Sequence, residues 1–211
     1  MRVVAVIPAY NEEKTVAGVV LAVRSAGLVD EVIVVSDGSE DRTAATARDA
    51  GARVIELQEN VGKGGAMKAG VDSAAADVVL FLDADLIGIT GRHVTSLLRP
   101  VLEGRADMTI GVFEGGRPLT HIAQAIAPHL SGQRAVTAEA LNRVSELDVA
   151  RFGVETALTR VAKRSKLRVE EVPLKGVTHL MKEEKMGLSK GFVARVRMYW
   201  DIVRALVSGR R

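Results

Sequence analysis

The stretch Asp77-Val-Val-Leu-Phe-Leu-Asp-Ala-Asp-Leu86 (DVVLFLDADL) carries the reading of the fold. Five apolar residues, Val78 to Leu82, run without interruption and stop at two carboxylates, Asp83 and Asp85. An unbroken apolar run of that length suits a strand covered on both faces, as in a parallel sheet. Two carboxylates at its tip repel, and one takes up a proton unless a cation lies beside them. A hard divalent ion, Mg or Mn, removes the conflict because it prefers oxygen ligands. Magnesium usually completes its shell with water and substrate phosphates, so the pair predicts a phosphate-bearing substrate at the same rim. The bland alternative is a solvated turn whose acids cap the helix starting near Thr90. An isolated Asp-x-Asp does not decide between the two.

Upstream, the same pattern repeats. Val3–Ile7, Val32–Val35 and Arg53–Leu57 are short runs rich in Val and Ile, bounded by turn residues, and read as strands. Helical segments are expected over Glu13–Ala26, Asp41–Ala50 and Val61–Ala75. Ser39 or Asp41 can cap the second, and Asn60 precedes the third. The expected fold class is therefore α/β, a mostly parallel central sheet flanked by helices. Ligands of such sheets bind beyond the carboxyl ends of the strands. The chemically unusual residues fall there: Pro8-Ala9-Tyr10-Asn11-Glu12 after strand one, Ser36-Asp37-Gly38-Ser39 after strand two, and Asp83-Ala84-Asp85 after strand four.

A phosphate partner has a candidate in Asn60-Val-Gly-Lys-Gly-Gly-Ala-Met-Lys-Ala-Gly70. Glycines and Lys63 at a helix start offer exposed amides, the positive helix end and a point charge. The segment is neither GxxxxGK[ST] nor a GxGxxG following the first strand. The alternative is a flexible glycine linker ahead of an ordinary helix.

Composition bounds the function. Hydrophobic residues make up 47% of the 211, enough for a sizeable aliphatic core. The absence of cysteine removes disulfides, thiolate nucleophiles and zinc–cysteine sites. No run of about 18 uncharged apolar residues occurs, so no spanning helix is expected. The chain opens directly on a strand-like run, MRVVAVIPAY, without signal-peptide features, and a cytoplasmic protein is expected. Charge is uneven: residues 151–211 hold 15 Lys+Arg against 6 Asp+Glu, residues 1–150 hold 14 against 20. A basic end on an acidic body suits a phosphate-rich or membrane-surface partner, or simply solvated helices. Nothing beyond charge points to nucleic acid, and the aromatic-poor motifs offer no stacking platform.

VVAVIPAYNEEKTV, VIVVSDGSEDRT, NVGKGGAMKAG and VLFLDADL, in this order and spacing, resemble the nucleotide-sugar half of a GT-A glycosyltransferase of the family-2 type. The resemblance implies a Rossmann-like site for a nucleotide-diphosphate sugar, such as a UDP- or GDP-sugar. It implies that Pro8, Ala9, Tyr10 and Glu12 line the nucleoside pocket and that Asp37 contacts the base. Gly62 and Lys63 would hold the nucleotide or its diphosphate. Asp83, with Ala84 beside it, would lie near the ribose, and Asp85 would be the main metal ligand, with Asp83 second.

Asp107–Val112 and Val169–Pro173 read as a fifth and a sixth strand. The order LSGQRAVTAEAL (130–141), RFGVETALTRVAKRSKLRVEEVPL, then GVTHLMKEEKMG resembles glucosyl-3-phosphoglycerate synthases and their relatives. That resemblance implies an acceptor loop at Ser131, Gly132, Gln133 and Arg134, a sugar-binding Glu155, and His179 as the third metal group. Chemically, Arg134 beside Gly132 and Ser131 suits a phosphate or carboxylate through a planar fork and backbone amides, or is a surface Arg before a helix. Glu155 opens the Gly153–Ser165 helix; it complements the dipole, binds a hydroxyl, or acts as a general base. A catalytic set of Asp85, Glu155 and Lys63 is expected, the metal neutralising charge on the departing diphosphate. QxxRW is absent, so transfer of single sugars is expected.

In Ser189–Val207 the apolar residues Phe192, Val193, Val196, Tyr199, Trp200, Val203, Leu206 and Val207 follow helical periodicity, with Arg195, Arg197 and Arg204 alongside. Such a helix docks on the body, pairs two subunits into a homodimer, or lies on an anionic membrane surface. The last outcome would suit a lipid or polyprenyl phosphate acceptor, the others a soluble phosphorylated small molecule. The expected organisation is one GT-A domain over 1–188, with a nucleotide-sugar half (1–115) and an acceptor half (116–188), and a basic amphipathic helix over 189–211. Two other functions fit parts of the pattern: a nucleotidyltransferase, which lacks its expected Gly- and Arg-rich loop after strand one, and a non-catalytic nucleotide-sugar-binding module.

Overall fold

Why can β1, Val3–Ala9, be apolar at every other position on both sides? Successive side chains of a strand point to opposite faces. Val3, Ala5, Ile7 and Ala9 belong to one buried cluster, and Val4 and Val6 to another. Both faces of the strand are therefore covered. β2 (Glu31–Asp37) and β4 (Val78–Phe81) divide in the same way, Val78 and Leu80 to the first cluster, Val79 and Phe81 to the second. On one face the cover is α1 (Val16–Ser25), α2 (Thr43–Asp49) and α4 (Gly91–Leu102). On the other it is α3 (Gly62–Asp72).

A computed structural model describes residues 1–114, 131–144 and 154–180. Met1–Thr178 form one compact unit, and His179–Arg211 a second, of which only His179 and Leu180 are described. The remaining elements are β3 (Arg53–Leu57), β5 (Leu86–Ile87), β6 (Met108–Glu114), β7 (Arg134–Thr137), α5 (Ala138–Leu141), α6 (Val154–Arg164), β8 (Val169–Lys175) and β9 (Thr178–His179). α6 also packs on the second cluster through Val154, Leu158 and Ala162. The expected helix over 189–211, and any dimer or membrane contact it makes, lies outside the described residues.

Seven strands form one sheet in the order β3-β2-β1-β4-β7-β6-β8, and β5 pairs with β9 in a small second sheet. β1 is parallel to both β2 and β4, and β2 to β3. β7 is antiparallel to β4 and to β6. The mostly parallel sheet agrees with the sequence reading. β7 does not: Ser131–Arg134 were expected as a loop, and Arg134 instead opens a strand. RAVT forms a strand because its residues complete the hydrogen-bond ladders of both neighbours, a gain that no local propensity reveals. Thr137 then caps α5, its hydroxyl accepting from the Ala140 amide at 3.2 Å.

The glycine-rich segment is helix rather than linker. Gly62, Gly64, Gly65 and Gly70 all lie within α3. Glycine weakens a helix by about 1 kcal/mol per residue relative to alanine, so it needs a reason. At Gly70 the reason is proximity: an added Cβ would stand 2.4 Å from Val6 Cγ1 and 3.1 Å from Val35 Cγ2. The helix sits on β1 and β2 more closely than any side chain permits.

Chain order reverses between β1 and β4, since β1 connects onward to β2 on one side while β4 lies on its other side. The paired register of these two strands ends at Val6↔Phe81. Beyond it β1 continues through Pro8 and Ala9, and the chain after β4 continues into Asp83–Asp85. Such a reversal opens a crevice at the carboxyl ends of the strands, where α/β sheets bind ligands. Pro8 lies past the last β1–β4 pair, so on that side its missing N–H breaks no ladder bond.

Candidate active site

The rim of the crevice is built from four segments tied to one another by side chains. Asn11, with a positive φ of 54°, donates its amide to Ser39 Oγ at 3.2 Å, and its own Oδ1 accepts from the Glu40 amide at 2.9 Å. Glu12 N donates to Thr43 Oγ1 at 2.7 Å, and Glu13 N to Asp41 Oδ2 at 3.1 Å. Burial pushes the Asp41 carboxyl up, but bonds from the Thr43 hydroxyl and amide and from the Glu13 amide outweigh it and hold it below its ordinary range. Asp41 thus serves the start of α2, as expected, while Ser39 braces the β1 loop instead. Asn60 Oδ1 accepts from the Gly62 amide at 3.1 Å and starts α3.

Asp37 is 3% exposed and accepts the Val61 amide on Oδ1 at 2.8 Å. Among the described residues no donor reaches its Oδ2. Tyr10 and Val61 are the exposed apolar residues of this rim, at 47% and 51%. Ala9 and Ala84 are each 3% exposed and belong to the first buried cluster. Val61 was not singled out by sequence; an exposed Val after Asn is an ordinary loop residue until the fold sets its amide on Asp37.

The carboxylate pair finds a cation within the protein. Lys63 Nζ lies 2.5 Å from Asp83 Oδ1, and Gln133 Nε2 donates to Asp83 Oδ2 at 2.9 Å. One carboxylate of the pair is thus neutralised by the lysine at the start of α3. Asp85 and His179, the last residue of β9, complete a cluster: one ligand atom from each of Asp83, Asp85 and His179 lies within 4.8 Å of the others. One atom from each of the three would hold a divalent ion. Two carboxylates and an imidazole suit Mg or Mn.

The segment expected to bind the acceptor is more buried than the sequence suggested. Ser131 is half-buried; Gln133 and Arg134 are 0% and 1% exposed. The Ser131 hydroxyl donates to Gln133 Oε1 at 2.8 Å. Arg134 is the first residue of β7, and its guanidinium donates to the Ser131 carbonyl at 2.8 Å and to Thr159 Oγ1 at 3.2 Å. The expectations of an open guanidinium fork and of a surface Arg are both corrected: the side chain is interior, bracing the loop from β7. Glu155 is the second residue of α6, in its first turn as expected. No helix among the described residues is long and apolar enough to cross a membrane.

Comparison with known proteins agrees with this geometry. Glucosyl-3-phosphoglycerate synthase of Mycolicibacterium smegmatis is 39% identical over 106 residues, 46% of this chain and 35% of that protein. Dolichyl-phosphate beta-glucosyltransferase of Drosophila melanogaster is 45% identical over 96 residues, 38% of this chain and 29% of that protein. The chain thus matches about a third of the length of these curated relatives. The crystal structure of glucosyl-3-phosphoglycerate synthase from Mycobacterium tuberculosis with Mn2+, UDP-glucose and phosphoglyceric acid superposes with a TM-score of 0.69 at 29% identity. That match covers 85% of this chain and 71% of the other. The same protein has also been solved with Mg2+ and UDP. The profile described as Glycosyl transferase family 2 matches residues 4–132, over half of the chain. With its parallel sheet, β1–β4 crevice and Asp-Ala-Asp tip, the chain belongs to glycosyl transferase family 2.

Proposed function

We propose that the chain transfers a single sugar from a nucleotide-diphosphate sugar to a phosphorylated acceptor, with Mg or Mn at Asp83, Asp85 and His179. The observation that carries this reading is the convergence of that cluster with Lys63 and the first turn of α3 at the end of β4. A metal there would neutralise the diphosphate and withdraw charge from it as the sugar–oxygen bond breaks. Lys63 would exchange Asp83 for a phosphoryl oxygen, and the positive end of α3 would face the same charge. Asp37 offers an unspent carboxylate oxygen beside the exposed Tyr10 and Val61. A carboxylate only accepts, so it would take a ring or amino N–H of the base. The solved relatives' UDP complexes support uridine.

Ser131 and the backbone around Gly132 are proposed to meet the acceptor, with Arg134 holding them from within. The names of two relatives, one acting on phosphoglycerate and one on dolichyl phosphate, both point to a phosphorylated acceptor. Glu155 would hold a sugar hydroxyl, or serve as general base if the anomeric configuration inverts. A nucleotidyltransferase is disfavoured by the absence of a Gly- and Arg-rich loop after β1, where PAYNE stands. A binding module without catalysis would bind nucleotide yet release no sugar.

Calorimetric titration with UDP, GDP, ADP and CDP, with and without Mn2+, tests the reading. Metal-dependent binding of UDP or GDP, lost in Asp85→Ala, is the expected result. Metal-independent binding, or none, would overturn it. Incubation with UDP-glucose and either 3-phosphoglycerate or a polyprenyl phosphate in vesicles then identifies the acceptor, and NMR of the product gives its anomeric configuration.

A further inference from the structure

Gln133 was expected to touch the acceptor, and its environment assigns it another task. The side chain is 0% exposed, and both ends of its amide are engaged: Oε1 accepts from the Ser131 hydroxyl at 2.8 Å and Nε2 donates to Asp83 Oδ2 at 2.9 Å. Its backbone carbonyl accepts the Gly111 amide of β6 at 2.8 Å. The carboxylate contact determines which end of the amide faces Asp83, because an ionised carboxylate only accepts and so takes the Nε2 donor, leaving Oε1 to accept from the Ser131 hydroxyl. A carboxylate 19% exposed is therefore held by Lys63 on one oxygen and by Gln133 on the other.

The register of the sheet brings this about. Arg134 of β7 stands opposite Phe81, the last residue of β4, and the two strands are antiparallel. The residues just before Arg134 therefore meet those just after Phe81. Gly132 arrives so close that an added Cβ would stand 2.6 and 2.7 Å from the two Asp83 oxygens and 2.7 Å from Lys63 Nζ. Nothing larger than hydrogen fits between this loop and the ion pair.

We propose that Gln133 is a positioning residue that aims the Asp83 carboxylate at the metal and donor diphosphate, joining the acceptor-side loop to the metal centre through one hydrogen bond. Hydrogen bonds to a ligating carboxylate set its orientation, and their loss commonly costs about 10- to 100-fold in metal affinity. Gln133 itself touches neither substrate. Because the loop and the metal centre share one carboxylate, acceptor bound against Ser131 and Gly132 would also bear on how Asp83 presents itself. The inference rests on the glycosyltransferase reading for the identity of the ion and the nucleotide.

The test is calorimetric binding of UDP in the presence of Mn2+ to the full chain and to Gln133→Leu, Asp83→Asn and the double variant. Thermal melting of each serves as the control for folding. Gln133→Leu should weaken binding by about 10- to 100-fold. In the Asp83→Asn background the same change should cost less than about two-fold, because the residue acts through that carboxylate. A merely structural role would lower the melting temperature and add its effect equally in both backgrounds. Ser131→Ala, which frees the Gln133 amide to rotate, should give a smaller loss of about 3- to 10-fold. Unchanged binding in folded Gln133→Leu, or additive losses, would overturn the inference while leaving the functional reading intact. Should Gln133→Leu not fold, unchanged binding in Ser131→Ala overturns it. Failure of the wild type to bind UDP with Mn2+ would overturn both.

Discussion

The β1–β4 crevice and the Ser131–Arg134 segment meet at one carboxylate, yet they are built by different means. Each wall of the crevice is a strand with its chemistry at the carboxyl end: Pro8–Glu12 at the end of β1, Ser36–Ser39 at the end of β2, Asp83–Asp85 just after β4. Its internal bonds join loops that neighbour one another across parallel strands. The Ser131–Arg134 segment has no such autonomy. Its position comes from an antiparallel strand inserted between β4 and β6, and from contacts to residues 50 positions away. A half assembled from local units tolerates variation in the strands' surroundings. A half aimed by register depends on every residue that keeps that register.

The largest expected effect lies at the metal. Asp85→Ala should weaken nucleotide binding in Mn2+ by at least about 100-fold, with binding in chelator unchanged. That difference, read by calorimetry, would separate the metal's share from that of α3 and Lys63. At the seam, Gly132→Ala sets a methyl against Asp83 and Lys63. Overpacking of this kind costs about 1–3 kcal/mol, and here it should appear as a melting loss together with weaker Mn2+–UDP binding. A neutral outcome would mean that the loop is free to move away from Asp83 and Lys63.

On the acceptor side, Arg134→Met keeps most of the volume and removes the donors to the Ser131 carbonyl and Thr159. Leaving such buried groups unpaired costs about 1–3 kcal/mol by denaturant titration. Nucleotide affinity should fall less than in Gln133→Leu, because Arg134 bonds the loop and not Asp83. The smallest effect is expected far from both regions. Arg168 bonds Asp107 through its guanidinium, at 2.6 Å to Oδ1, and through its amide, at 2.8 Å to Oδ2. The Arg168 side chain, aided by that amide, holds the Asp107 carboxyl below its ordinary value of 3.8 despite some burial. A carboxyl depressed in the fold stabilises the protein fully above its unfolded value, and the contribution fades as pH falls below 3.8. Arg168→Ala should therefore lower the melting temperature slightly at neutral pH, and once Asp107 is protonated in both states only the loss of the guanidinium bond to the Gly104 carbonyl should remain. Its Mn2+–UDP affinity should match that of the wild type.

Much of the crevice was legible in the sequence because strand tips carry their own signals. Val78–Leu82 could be read as a two-sided strand from composition alone, and both faces are indeed covered. Asp83 and Asp85 called for a cation because like charges cannot share a small space unaided. That one of the cations is Lys63 could not be read, since 20 residues of chain separate it from Asp83 and only the packing of α3 on β1 brings them together. RAVT was too short for periodicity to separate strand from helix. Once it is a strand, Arg134 moves into the interior, and Gln133, expected at the acceptor, bonds Asp83.

The amino-acid order by itself determined which strands are buried and which turns carry acids and glycines, and it predicted a hard ion with a phosphate ligand at the end of β4. These follow from burial and from charge repulsion, which act over a few neighbouring residues. Tertiary structure alone decided who holds each oxygen of Asp83, because hydrogen bonds are directional and short. Partners 20 and 50 residues away come within reach only when sheet order and register are complete.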